Sequence, residues 1–136
     1  MRVSEIVRID SRGRVTLPSA LREAVGFSEG MYVMLIADTE EKHVRIIPFA
    51  DPKAKLVEFH LAILDAPGAL AKAASVLAEN NVDLLATTSR TLKRGELAEW
   101  IVIADVSKCK CQLTKLQEEI CGRKAAEKVE IKEIST

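Results

Sequence analysis

Arg8, Arg12, Arg14 and Arg22 fall within the first 22 residues, three of them around the tetrapeptide Asp10-Ser-Arg-Gly13. A guanidinium pairs bidentately with phosphate oxygens and guanine edges, so arginines crowded on one short hairpin have the chemistry to grip a nucleic-acid backbone. The same residues also read as a solvated hairpin whose charge Asp10 and Glu23 offset. Asp65-Ala-Pro-Gly68 is the second group of interest. It reads either as a ligand turn, in which free N–H groups at a helix start receive an anion, or as simple helix-start chemistry, with Asp as cap, Pro in the first turn and Gly for close approach. Asp83 stands where a later strand begins. Cys109, Cys111 and Cys121 make a C-x-C and one more thiol. A tetrahedral metal site takes four ligands and only His43 and His60 are there to supply nitrogen, so no metal site is expected. The chain has no nucleophile–histidine–acid set and no phosphate loop. It reads as a protein without catalytic residues, not an enzyme.

The elements that must position these groups follow from periodicity. Val3, Glu5, Val7 and Ile9 fall on one side of an alternating segment and Ser4, Ile6, Arg8 and Asp10 on the other, Asp10–Gly13 forms a turn with Gly13 free to take positive φ, and Val15 and Leu17 continue a second strand that Pro18 stops. Ser19 is a plausible N-cap for a short helix with Leu21, Ala24 and Val25 on one stripe, and Gly26 ends it. Met31–Ala37 and His43–Pro48 read as a third and a fourth strand around the polar turn Asp38–Lys42. Four short strands and one helix bury little apolar surface, so this part is expected to need a partner, most simply a second copy of itself.

Pro48-Phe-Ala-Asp-Pro52-Lys interrupts the pattern and marks a linker. Beyond it Val57, Phe59, Leu61 and Ile63 alternate with Glu58, His60, Ala62 and Leu64. A helix follows, with Leu70, Ala73, Ala74 and Leu77 as its buried stripe and Asn80-Asn81 at its end. Val82–Leu92 and Leu97–Val106 read as strands joined by the turn Lys93–Glu96. A helix near Gln112–Cys121 carries Leu113, Leu116 and Ile120 on one face, and Val129 and Ile131 belong to a last strand. The order βαββαβ predicts a four-stranded antiparallel sheet with both helices on one face.

Composition narrows the classes. The chain has 136 residues, 48% of them apolar and 29% charged, so it folds into one domain or two small ones. Its formal net charge is zero, with seven basic and seven acidic side chains in residues 1–50 and thirteen of each thereafter. Polyanion binding must therefore rest on local clustering. The three cysteines, an odd number, fit a reducing compartment better than a disulfide framework. No apolar run approaches the ~18–20 residues of a membrane span, and the N-terminus has no apolar signal region, so a cytoplasmic protein without membrane contact is expected. Only 4% of residues are aromatic, which leaves little for base stacking.

Residues 6–48 resemble the AbrB/SpoVT-like swapped-hairpin domain of transition-state regulators and MazE-type antitoxins. The resemblance is carried by Asp10-Ser-Arg-Gly-Arg-Val-Thr-Leu-Pro18, Leu21-Arg22 and Gly26-Phe-Ser-Glu-Gly30. It implies an intertwined, β-barrel-like homodimer that presents Arg8, Arg12, Arg14 and Arg22 to double-stranded DNA. Residues 56–134 resemble an ACT domain, the ferredoxin-like βαββαβ regulatory fold that commonly senses amino acids. Its carriers are Asp65-Ala-Pro-Gly-Ala-Leu70 and Asn80-Asn-Val-Asp-Leu84. It implies an amino-acid effector held between two copies, with Asp65, Gly68 and Asp83 as ligand contacts.

The resulting expectation is an α+β chain. It has a swapped-hairpin DNA-binding and dimerisation domain (1–49), a linker (50–55) and a ligand-sensing ACT domain (56–136). It acts as a transcription regulator, a homodimer or higher homo-oligomer, without a cofactor beyond the effector. The competing expectation is an antitoxin-like or regulatory protein–protein module that dimerises without specific DNA binding.

Overall fold

The computed structural model describes residues 1–134 and shows an α+β protein of two compact units, Met1–Pro52 and a second that begins at Lys53. In the first unit, α1 (Ser19–Val25) is followed by β1 (Tyr32–Asp38) and β2 (His43–Ala50), which pair antiparallel as a hairpin. Gly26 takes the left-handed conformation (φ +76), which lets its own N–H and that of Phe27 reach the Arg22 carbonyl and end the helix. The cap at the other end is Pro18 rather than Ser19, without a side-chain hydrogen bond.

Two expectations for this unit are corrected. Residues 3–9 and 15–17 are not strands: the described unit contains two strands, not four, and no closed barrel. A strand exists only where a second backbone supplies its ladder, and the segments flanking the Asp10 turn share only that turn's hydrogen bonds. No residue of this unit is buried; the first buried residue in the chain is Ala54. Ile6 is fully exposed, and Ile9, Leu35 and Val44 are 70%, 64% and 60% exposed.

The second unit contains β3 (Leu56–Leu64), α2 (Ala69–Glu79), β4 (Asp83–Lys93), β5 (Leu97–Asp105), α3 (Leu113–Gly122) and β6 (Lys128–Glu133). Its strands form one antiparallel sheet in the order β4-β5-β3-β6. Period-2 alternation sends Val57, Phe59, Leu61 and Ile63 of β3 to one face, beside Trp100 and Val102 of β5 and Val129 of β6. Ala73, Val76 and Leu77 of α2 and Leu116 and Ile120 of α3 complete the same cluster, so both helices cover that one face. Leu70, expected in the buried stripe of α2, is 41% exposed, and Val76 takes its place in the core. The outer face carries Glu58, His60 and Ala62, half-buried.

The two helices are tied at their ends. Asn80, the buried polar residue that follows α2, donates its amide to the Val76 carbonyl (2.8 Å) and to Glu119 Oε2 in α3 (3.1 Å). Arg123 spans Glu79 of α2 and Glu119. Asn81, not Asn80, adopts the left-handed conformation (φ +58).

Asp105, at the end of β5, accepts the N–H groups of Lys55 (3.0 Å) and Ser107 (2.9 Å). Desolvation is the largest single influence on its carboxyl and pushes it up. The Ser107 and Lys55 N–H groups, the Ser107 hydroxyl and nearby Lys108 together outweigh that and hold it below the ordinary carboxylate range. A lowered folded value means that this group stabilises the native chain above its unfolded value of ~3.9, a contribution lost as pH falls through the folded value. Asp105→Asn is accordingly expected to be less stable than wild type near neutrality. The difference should vanish on acidification below the folded value, as measured by urea unfolding followed through Trp100 fluorescence.

Candidate functional site

The arginine segment is organised by Asp10. Its carboxylate accepts the N–H groups of Arg12 (2.8 Å) and Arg14 (2.9 Å) through Oδ1, while Oδ2 accepts Arg14 Nε at 2.7 Å. Backbone bonds from Gly13 N–H to the Asp10 carbonyl and from Asp10 N–H to the Arg14 carbonyl, both 3.0 Å, close the turn. Gly13 sits at φ +75, a conformation that a side chain at this position would strain. The Arg14 N–H, then the Arg14 guanidinium and the Arg12 N–H, hold the Asp10 carboxyl below its ordinary range. One carboxylate thus holds the backbone at both Arg12 and Arg14 and also takes one guanidinium edge of Arg14 for itself.

Arg22, exposed in α1, donates Nε–H to the Leu17 carbonyl (2.9 Å), which anchors it. The Arg8 and Arg12 side chains are exposed and form no hydrogen bond or ion pair among the described residues. All four arginines therefore lie in one exposed segment. Two of them have an intramolecular partner that the sequence pattern did not reveal.

Charge within this unit is segregated. Residues 1–22 contain five arginines, counting Arg2, against the two carboxylates Glu5 and Asp10. From Glu23 to Pro52 the balance reverses, with six carboxylates against Lys42 and Arg45. A count over the first 50 residues averages these segments to zero and hides the basic one. Asp10 moderates it, and Asp10→Asn tests this: asparagine keeps Oδ1 for the two N–H groups and removes the charge facing Arg14. If this segment contacts duplex DNA, the variant binds it more tightly than wild type in a filter or polarisation assay at low salt.

In the second unit Asp65 follows β3, and its Oδ2 accepts the Gly95 N–H at 2.7 Å, while its own N–H reaches the Glu96 carbonyl at 3.3 Å. The carboxylate therefore latches the β4–β5 turn to the β3–α2 turn instead of capping α2. Gly68, at φ +87, precedes α2 with no side-chain cap, and the first helical bond there runs from Lys72 N–H to the Gly68 carbonyl. A cleft of about 220 Å³ opens beside this turn, lined by Asp65, Leu70, Ser89, Arg90 and Thr91. Arg90 is paired to Glu99 at 3.1 Å.

Asp83 does not join this group. It faces Asp105 across β4–β5, and Asp105 in turn faces Leu56 at the start of β3, whereas Asp65 lies one residue beyond the end of β3. At ~3.3 Å per residue, a nine-residue strand separates the two carboxylates by roughly 30 Å. The cause is the crossover: α2 returns the chain to the end at which β3 began, so β4 starts there. Asp65 and Gly68 are brought together, and Asp83 stands at the opposite end of the sheet.

Ser89, Arg90 and Thr91 line this cleft and none was singled out from the sequence, Arg90 standing opposite Glu99 in the ladder. The register of Ser89 and Thr91 opposite Trp100 and Ala98 puts those two on the helix-covered face of the edge strand, which only strand pairing reveals. His60 meets Glu58 at 3.1 Å on the outer sheet face. Among the described residues no group of three or more His, Cys, Asp or Glu side chains converges. A scan against protein-family models and a search of curated proteins find no match to this chain.

Proposed function

We propose that this chain is a DNA-binding transcription regulator: an AbrB/SpoVT-like swapped-hairpin dimer joined to an ACT-type, ferredoxin-like sensor of an amino acid. The observation that carries the reading is the basic segment of residues 1–22, five exposed arginines against two carboxylates. Supporting it is the lack of any buried residue in the first unit, which two intertwined copies would remedy by covering Ile6, Ile9, Leu35 and Val44. Dimerisation would also double the arginines presented to one duplex. For the sensor, the support is the cleft at the β3–α2 turn, whose hydroxyls, Arg90 and Asp65 provide both charge signs for a zwitterion.

Duplex binding across a salt series tests the first part. If the dimer uses six to eight arginines on phosphate, log K falls against log salt with a slope of roughly −5 to −7. Absence of binding even at low salt sinks the DNA reading. A thermal-shift screen of the twenty amino acids tests the second, since only a ligand that binds the folded state raises the midpoint. A dimer that neither binds duplex nor responds in the screen would instead be the antitoxin-like interaction module, a reading that the uncovered apolar side chains of the first unit also favour.

A further inference from the structure

At the end of the sheet opposite Asp65, the link from β5 to α3 carries Cys109 and Cys111. Cys109 N–H bonds to the Val106 carbonyl (3.1 Å) and Lys110 N–H to the Asn80 carbonyl (3.0 Å), which pin this link. Both cysteines are free, half-buried and packed against the core on one side. On the other they line an open cleft of about 770 Å³ shared with Lys55, Lys110 and Lys115. The two cysteines, two residues apart in this link, line the same cleft, and Cys111 Sγ donates to Asn80 Oδ1 at 3.6 Å.

Two adjacent thiols can serve only certain ions. No third or fourth donor converges among the described residues, so the tetrahedral set that Zn²⁺ requires is not available. Soft, monovalent Cu(I) favours thiolate sulfur and is satisfied by two of them. We infer that Cys109 and Cys111 form a two-coordinate site for a thiophilic monovalent cation, Cu(I) being the ion whose softness and charge fit.

Binding is a ligand exchange without redox change. Two S–H bonds break, two S–Cu bonds form, and two protons pass to water. The product, two thiolates and one Cu⁺, carries a single negative charge in a cleft whose rim holds three lysines. Glu119 opposes this charge and Lys115 favours it; burial first, then Cys109 and Glu119, push the Cys111 thiol up, so the ion must displace protons rather than meet free thiolates. Occupancy also removes the S–H that Cys111 offers Asn80, the residue whose amide joins α2 to Glu119 of α3. The site is independent of the DNA and amino-acid readings and lies at the other end of the sheet from the Asp65 turn.

The test is anaerobic titration of the reduced full-length chain against the chromophoric Cu(I) complex of bicinchoninate. The expected result is withdrawal of one Cu(I) per chain, abolished in Cys109→Ser and in Cys111→Ser and unchanged in Cys121→Ser. Because a serine variant that misfolds would also fail, alkylation of the wild type with iodoacetamide provides a second measurement. One equivalent of Cu(I) should protect Cys109 and Cys111 and leave Cys121 reactive, as read by peptide mass. No withdrawal by the wild type, full stoichiometry in either Cys109 or Cys111 variant, loss in Cys121→Ser, or protection of a different thiol each overturns the proposal.

Discussion

Replacing Arg12 and Arg14 together with alanine is expected to make the salt dependence of duplex binding shallower by about 3 to 4 and to abolish retention at physiological salt. Each phosphate contact contributes roughly 0.9 to the slope, and the proposed dimer would lose four guanidinium groups. The turn itself should persist. Asp10 holds the Arg12 and Arg14 positions by their backbone N–H groups, and both Gly13 and Asp10 close it by backbone bonds, none of which needs a guanidinium. Sedimentation should therefore show an unchanged oligomeric state. Loss of the oligomer along with DNA binding would assign these arginines to assembly and remove the phosphate-contact reading. The contrast with Asp10→Asn sharpens the result, since one variant removes positive charge from the turn and the other removes the negative charge that offsets it.

Phe59→Ala is expected to cost about 3–5 kcal/mol, enough to unfold much of the second unit at moderate temperature. Phe59 has no solvent exposure, lies on the central strand β3, faces Val102 of β5 and Ile131 of β6 in the ladders, and belongs to the cluster that α2 and α3 cover. A cavity there is walled by two strands and two helices, which leaves little room for collapse. Trp100, the single tryptophan and 3% exposed within the same cluster, reports the loss directly through its fluorescence. An urea midpoint within error of the wild type would show that the core around β3 is not close-packed. The first unit by itself offers no position with a comparable expected cost, since none of its side chains is buried within the chain.

The two units differ in how far they are legible from sequence, and the reason is physical. In residues 56–134 each element carries its own periodicity. Val57, Phe59, Leu61 and Ile63 announce a strand with one apolar face, and Leu116 and Ile120 a helix stripe, because each face is buried by the same chain. In residues 1–18 Val3, Val7, Ile9, Val15 and Leu17 also alternate, broken by Glu5 on the same side and Ile6 on the other, yet residues 1–18 form no strand. Alternation states which face would be covered and says nothing of whether a covering element is at hand. The arginine segment shows the same division. Its position was visible in the spacing around Gly13, whereas the engagement of Arg14 by Asp10 and of Arg22 by the Leu17 carbonyl depends on side-chain conformations that no spacing encodes.

The sequence by itself determined the secondary elements of the second unit, the faces they bury, the turn glycines and the clustering of arginines, all consequences of residue type over a few neighbours. Only the tertiary structure decided that Asp65 and Asp83 stand at opposite ends of one sheet, that Asp65 binds the β4–β5 turn, that Ser89 and Thr91 face the cleft beside it, and that Cys109 and Cys111 share a second cleft with three lysines. These are matters of which strand returns beside which and in what register. Residues far apart in the chain acquire neighbours only when the crossovers have closed, and no local pattern records that outcome.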